Sequence, residues 1–115
     1  MAYTLNSGEK VEIIETPIFT KRIRHVLSDN DYRQLQWELA INPLAGDLIP
    51  GAKGLRKLRW AFPGKGKRGA LRIIYYWYSQ DHKLYMLFAY KKSEQANLTK
   101  DQLKFLADYI KEGIL

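Results

Sequence analysis

Residues 71–78 read Leu71-Arg72-Ile73-Ile74-Tyr75-Tyr76-Trp77-Tyr78, and six of the eight are β-branched or aromatic. Such residues fit a pleated, half-buried surface, so the run is a strand. Ser79-Gln80-Asp81-His82 follows as a turn, and Leu84 to Tyr90 as its antiparallel hairpin partner. Upstream, Leu55 to Trp60 alternates apolar and basic residues, a third strand with a period of two. These three strands set the frame of the fold, an antiparallel sheet packed on helices.

The helices lie on either side of that block. Thr16-Pro17 reads as a helix N-cap and first helical position, where proline lacks only a donor that would be unpaired anyway. Ile18, Phe19, Ile23, Val26 and Leu27 then recur at helical spacing. Ser28-Asp29-Asn30-Asp31 offers a second cap with acids in the first turn, which the helix dipole favours. Tyr32, Leu35 and Leu39 mark that helix, and Pro43 stops it near Asn42. Pro43 to Gly54 is a loop. Thr99 to Gln102 is a T-x-x-Q capping box. Leu103, Leu106, Ala107 and Ile110 form the apolar stripe of a last helix that ends at Gly113. Val11 to Glu15 is a short strand, and residues 1–10 are expected as a loose N-terminal extension. The expected order is β-α-α-β-β-β-α, an α+β fold, in one domain over residues 11–115.

Charge is segregated along this chain of 115 residues. Residues 53–92 carry eleven Lys and Arg against a single acid, Asp81, whereas the remainder carries eight against eleven. A basic, aromatic, glycine-punctuated block is the electrostatic footprint of a polyanion site, most often nucleic acid. The absence of cysteine excludes a disulfide framework and zinc-finger spacing, and fits a cytoplasmic protein. No apolar run approaches the roughly 20 residues of a membrane span, and the first ten residues hold no signal-peptide core.

Alternation along the strands assigns faces. With Leu71, Ile73, Tyr75 and Trp77 toward the helices, Arg72, Ile74 and Tyr76 point the other way. Leu58 and Trp60 as core place Lys57 and Arg59 on that opposite face. Tyr90-Lys91-Lys92 brings further cations to the same edge. Lys57, Arg59, Arg72 and Lys91 are therefore expected together on one open, solvated face. Gly64-Lys65-Gly66-Lys67-Arg68-Gly69 matches G-x-G-x-x-G, but a strand follows where a dinucleotide site needs a helix. The loop reads instead as a phosphate-embracing flap, with Lys65, Lys67 and Arg68 adding to the patch. His25 and His82 read as structural residues, and no carboxylate cluster in the basic block can hold two metal ions. Phosphodiester chemistry here would fall on Lys, Arg and Tyr, without metal or cofactor.

Taken together, Asn42-Pro43, Gly46-Asp47, Gly51, Gly54-Leu55-Arg56-Lys57-Leu58-Arg59, the Gly64–Gly69 loop and Arg72-Ile73-Ile74-Tyr75-Tyr76 resemble the RelE/HigB toxins of bacterial toxin–antitoxin modules. The resemblance covers roughly residues 11–110. It implies a compact microbial ribonuclease-type fold and a ribosome-dependent, metal-independent mRNA endonuclease, an mRNA interferase using 2′-hydroxyl attack. It also implies a cognate antitoxin as partner, beside the ribosome and mRNA. Lys57 and Arg59 fall on the family's two basic strand residues, Arg72 on its central phosphate-binding arginine, and Lys91 or Lys92 near the cation after the last strand. The family's base-stacking tyrosine beyond that cation has no counterpart in Ser93 to Leu98. Tyr90 takes that role or it is unfilled. The fold also hosts gyrase-directed toxins, and the same basic face suits a non-catalytic RNA- or ribosome-binding module.

Overall fold

The computed structural model describes residues 1–61 and 70–113. The expected glycine flap, with Lys65, Lys67 and Arg68, lies outside them. The elements in chain order are β1 (Ala2–Thr4), β2 (Lys10–Glu15), α1 (Pro17–Val26), α2 (Asp29–Ile41), β3 (Asp47–Leu48), β4 (Arg56–Trp60), β5 (Leu71–Tyr78), β6 (Lys83–Lys91) and α3 (Lys100–Gly113). They build a mixed sheet of order β1-β2-β6-β5-β4-β3. Every pairing is antiparallel except the parallel β2–β6 pair.

All three helix starts form as the capping residues dictate. The Thr16 hydroxyl accepts the Phe19 N–H at 3.1 Å, and the Ser28 hydroxyl accepts that of Asp31 at 3.1 Å. At α3 the Gln102 N–H donates to Thr99 Oγ1 and the Thr99 N–H donates to Gln102 Oε1, both at 3.0 Å. Each bond satisfies an amide that the helix itself leaves without an acceptor.

The first ten residues are not loose. Ala2, Tyr3 and Thr4 pair with Glu12, Val11 and Lys10, and Gly8 turns the chain at a φ of +88°. Tyr3 and Leu5 pack on the core, and the Tyr3 hydroxyl donates to Gln36 Oε1 at 2.6 Å. A three-residue strand has too little periodicity to announce itself, and its partner contacts supply what its own propensity lacks.

Two apolar clusters flank the sheet. On one side Ile13, Trp60, Leu71, Ile73, Tyr75, Leu84 and Met86 meet Phe19 and Ile23 of α1 and Leu35 and Leu39 of α2. On the other, Ile74, Leu87, Phe88 and Tyr90 meet Leu106 and Ile110 of α3, with Ala52 and Leu55 from the loop before β4. The second face is therefore largely covered, not open. Ile74 and Tyr90, at 0% and 1% exposure, are as buried as the first core.

Tyr75 ties the loop after α2 to the sheet. Its hydroxyl donates to Pro43 O and accepts the Gly46 N–H, both at 2.8 Å. Arg56 Nη1 donates to Gly46 O at 2.7 Å. A Cβ on Gly46 would stand 2.8 Å from Tyr75 Cε1 and 3.0 Å from the Lys57 carbonyl, so only glycine allows this approach. Tyr75→Phe leaves a buried amide and carbonyl without partners, a cost of about 1–3 kcal/mol. Thermal unfolding of that variant should start from a Tm lowered by about 5–15 °C. An unchanged Tm would show that the loop is not held through Tyr75.

Candidate functional site

The β4–β5–β6 register sets one row of side chains across three strands. Arg59 lies opposite Arg72, and Arg72 lies opposite Tyr90. In the neighbouring row Lys57 lies opposite Ile74, and Ile74 opposite Phe88. Directly opposed residues share a face. Lys57, Arg59 and Arg72 are thus together on the α3 side, as alternation predicted.

Lys91 does not join them. It lies opposite Leu71, whose side chain belongs to the α1/α2 core. The cause is a bulge: Ile74 pairs with Phe88 but Tyr75 with Met86, leaving Leu87 as the extra residue. An extra residue inverts the alternation beyond it. Phe88 and Tyr90 turn to the α3 side, and Lys91 turns to the other. Lys91 and Lys92 are both exposed at the open end of β6.

Burial separates the members further. Arg59 is exposed and Lys57 half-buried. Arg72 is only 9% exposed, and among the described residues its Nη1 has no hydrogen-bond partner. Arg59 and Arg72 are like charges set directly opposite, an arrangement that costs stability and that a sheet does not need. Tyr90 packs its ring against Phe88, centroids 6.1 Å apart, and its hydroxyl too is without a partner among the described residues. At 1% exposure the ring shows no solvent-open face to a base. Burial pushes its phenol pKa up, while Arg72 pulls it down.

The patch has an acidic neighbour that the charge count along the chain did not reveal. β3 sets Asp47 opposite Lys57. Even so, among the described residues none of Lys57, Arg59, Arg72 and Lys91 forms an ion pair.

Two further residues hold the end of β6, and neither was singled out from sequence. Arg22 of α1 donates through Nε to Ala89 O at 2.5 Å and through Nη2 to Glu94 Oε1 at 2.9 Å. Its guanidinium also sits 5.2 Å from the centre of the Phe88 ring. Glu94 Oε1 accepts the Lys91 N–H at 2.8 Å. That bond, with Arg22 close by, holds the Glu94 carboxyl below its usual pKa. The pair clamps the turn carrying Lys91 and Lys92 onto α1. Seventy-two positions separate its members, so no local pattern signals it.

The histidines stand apart. His25 is exposed on α1. His82 takes a φ of +52° in the β5–β6 turn and stacks on Trp77. Among the described residues no group of three His, Cys, Asp or Glu side chains can hold a metal ion. Nor is any described helix long and apolar enough to cross a membrane.

Solved structures share this architecture. A mutant of E. coli RelE in the free state matches at a TM-score of 0.57 with 15% identity, covering 100% of both chains. The isolated E. coli RelE toxin matches at 0.51 with 14% identity, over 85% of this chain and 97% of that one. A chain of the intact E. coli RelBE toxin–antitoxin complex matches at 0.51 with 15% identity, over 70% and 95%. At such identities the likeness concerns the fold. The sequence itself goes further: residues 12–113 match the model of the RelE toxin of the RelE/RelB toxin–antitoxin system. That span runs from β2 through α3 and takes in the whole basic row, and the chain belongs to the RelE toxin family.

Proposed function

We propose that this toxin is a metal-independent endoribonuclease that cuts mRNA on the ribosome and that a cognate antitoxin restrains it. The observation that carries this reading is the Arg59–Arg72–Tyr90 row with Lys57 beside it. Two arginines opposed across a sheet, one of them desolvated with an Nη1 that has no partner among the described residues, are arranged for an anion and not for stability. In the reaction the 2′-hydroxyl attacks the adjacent phosphorus and the P–O5′ bond breaks. The products are a 2′,3′-cyclic phosphate and a 5′-hydroxyl. Arg72 and Lys57 neutralise charge that develops on the phosphoryl oxygens. The ribosome supplies a fixed message, so the toxin need only complete the site.

The RelBE complex supports an antitoxin as partner. Exposed Ile18 and Phe105, and Trp37 and Ile41, are apolar positions on the helices to which such a partner can dock away from the basic row.

Expression of the toxin alone, then with its neighbouring gene, tests the proposal. Mapped 5′ ends should fall within translated regions and disappear on co-expression. Cleavage by the purified protein should survive EDTA treatment once magnesium is restored to the ribosomes. Growth arrest without new 5′ ends would favour a non-catalytic binding module. Rescue of a chelated protein by zinc or manganese alone would overturn the metal-free mechanism.

A further inference from the structure

Two polar atoms remain unexplained on the α3 side of the sheet, and they belong to residues directly opposite one another. Arg72 Nη1 and Tyr90 Oη are both buried, and among the described residues neither has a hydrogen-bond partner. Each such group costs stability relative to a satisfied one. A pair on neighbouring strands is not explained by packing, because phenylalanine would fill the Tyr90 position without the penalty.

The donor inventory narrows what completes the pair. Guanidinium has donors only, and a phenol has one donor and an acceptor. Even if Tyr90 Oη accepted from Arg72, the phenol O–H would still need an acceptor. The missing group is therefore an acceptor, with negative charge to match Arg72. No carboxylate of the described residues fills it: Asp81, the one acid of residues 53–92, lies in the turn at the other end of the hairpin.

We propose that the Tyr90 hydroxyl and the Arg72 guanidinium bind one phosphoryl oxygen of the RNA backbone together, which makes Tyr90 a catalytic residue. The proposal rests on the ribonuclease reading above and assigns Tyr90 a role through its hydroxyl, not its ring face. Burial of the phenol keeps it protonated at neutral pH, so it serves as a donor and not as the base that takes the 2′ proton. The ring packs against Phe88 and shares a buried cluster with Leu106 and Ile110 of α3, so the phenol is held in place before substrate arrives. A donor preset toward a developing charge stabilises the transition state without reorganisation.

Tyr90→Phe removes one oxygen and keeps the ring. In single-turnover cleavage of ribosome-bound mRNA its maximal rate should fall about 100-fold, with half-saturation within twofold and an unchanged or raised Tm. A phosphorothioate at the scissile phosphate supplies a readout that a structural role would not move. One diastereomer should slow the parent protein markedly, and Tyr90→Phe should lose that discrimination. Wild-type cleavage rates, or a slowed variant with the discrimination intact, would overturn the assignment. A second arm does not depend on cleavage. Inorganic phosphate should raise the Tm of the free toxin, and Tyr90→Phe should need several-fold more phosphate for the same rise. If the parent cuts no RNA, the ribonuclease reading fails, and this arm still decides the donor pair. Equal phosphate dependence of the two proteins would sink it.

Discussion

Arg72→Ala should abolish growth arrest and lower the cleavage rate by at least about 100-fold, while the protein stays folded. Arg72 sits mid-row between Arg59 and Tyr90, with one guanidinium nitrogen unpaired, so it is the most preorganised positive charge on this side of the sheet. Losing it removes a phosphate clamp that costs no reorganisation at the moment of reaction. The same features make it expendable for folding. It is 9% exposed, forms no ion pair among the described residues and faces a like charge. Replacing a desolvated, unpaired cation relieves both penalties. Arg72→Met keeps much of the aliphatic volume and should melt at or above the parent temperature, the trade that functional residues often show. Circular dichroism and a melting curve accompany the growth assay. A folded Arg72→Ala toxin of full potency would remove Arg72 from the site, and an unfolded one would make it structural.

Much of the scaffold was legible because local chemistry agrees with the fold. Thr16-Pro17, Ser28 and the Thr99–Gln102 box each mark a helix start that forms with those bonds. The Leu71–Tyr78 run and its hairpin partner are strong because each needs only its neighbour. What escaped is non-local. The parallel β2–β6 pair joins strands at opposite ends of the chain, and nothing in Val11 to Glu15 names its partner.

The covered second face had a visible signal in hindsight. Ile74 is apolar at a position that alternation assigned to the open face. Strands buried on both faces read as continuous apolar runs, and Leu71 to Tyr78 is close to one. Lys91 was misplaced for a different reason. A bulge shifts parity by one residue, and Leu84 to Tyr90 is so uniformly apolar that no polar residue marks where the shift occurs. The acid nearest Lys57 was hidden in the same way, since Asp47 reaches it only through a two-residue strand. Sequence located the cations; pairing decided which of them share a face.

Binding to unstructured RNA or to ribosomes should weaken steeply as salt rises, and the slope counts the phosphates engaged. Single-stranded RNA loses about 0.7 of a condensed counterion per phosphate neutralised. Lys57, Arg59, Arg72 and one lysine of the exposed Lys91–Lys92 end, each meeting one phosphate, give a log–log slope of about −3. A rise from about 50 to about 200 mM salt then costs about fiftyfold in affinity. The three β4–β5 cations should not contribute alike. Exposed Arg59→Ala should shallow the slope by about 0.7, the full share of one released counterion. Lys57, facing Asp47 across the strand pair, should contribute less than that, because its charge is partly compensated before RNA arrives. Asp47→Asn should then tighten binding and steepen the slope, a gain of affinity from removing a side chain that touches no RNA. A flat salt dependence of the parent protein would mean that this face does not hold a phosphate backbone. A steep slope indifferent to Arg59 and Lys57 would move the binding surface elsewhere, with α1 and its exposed Lys21 and Arg24 the next place to look.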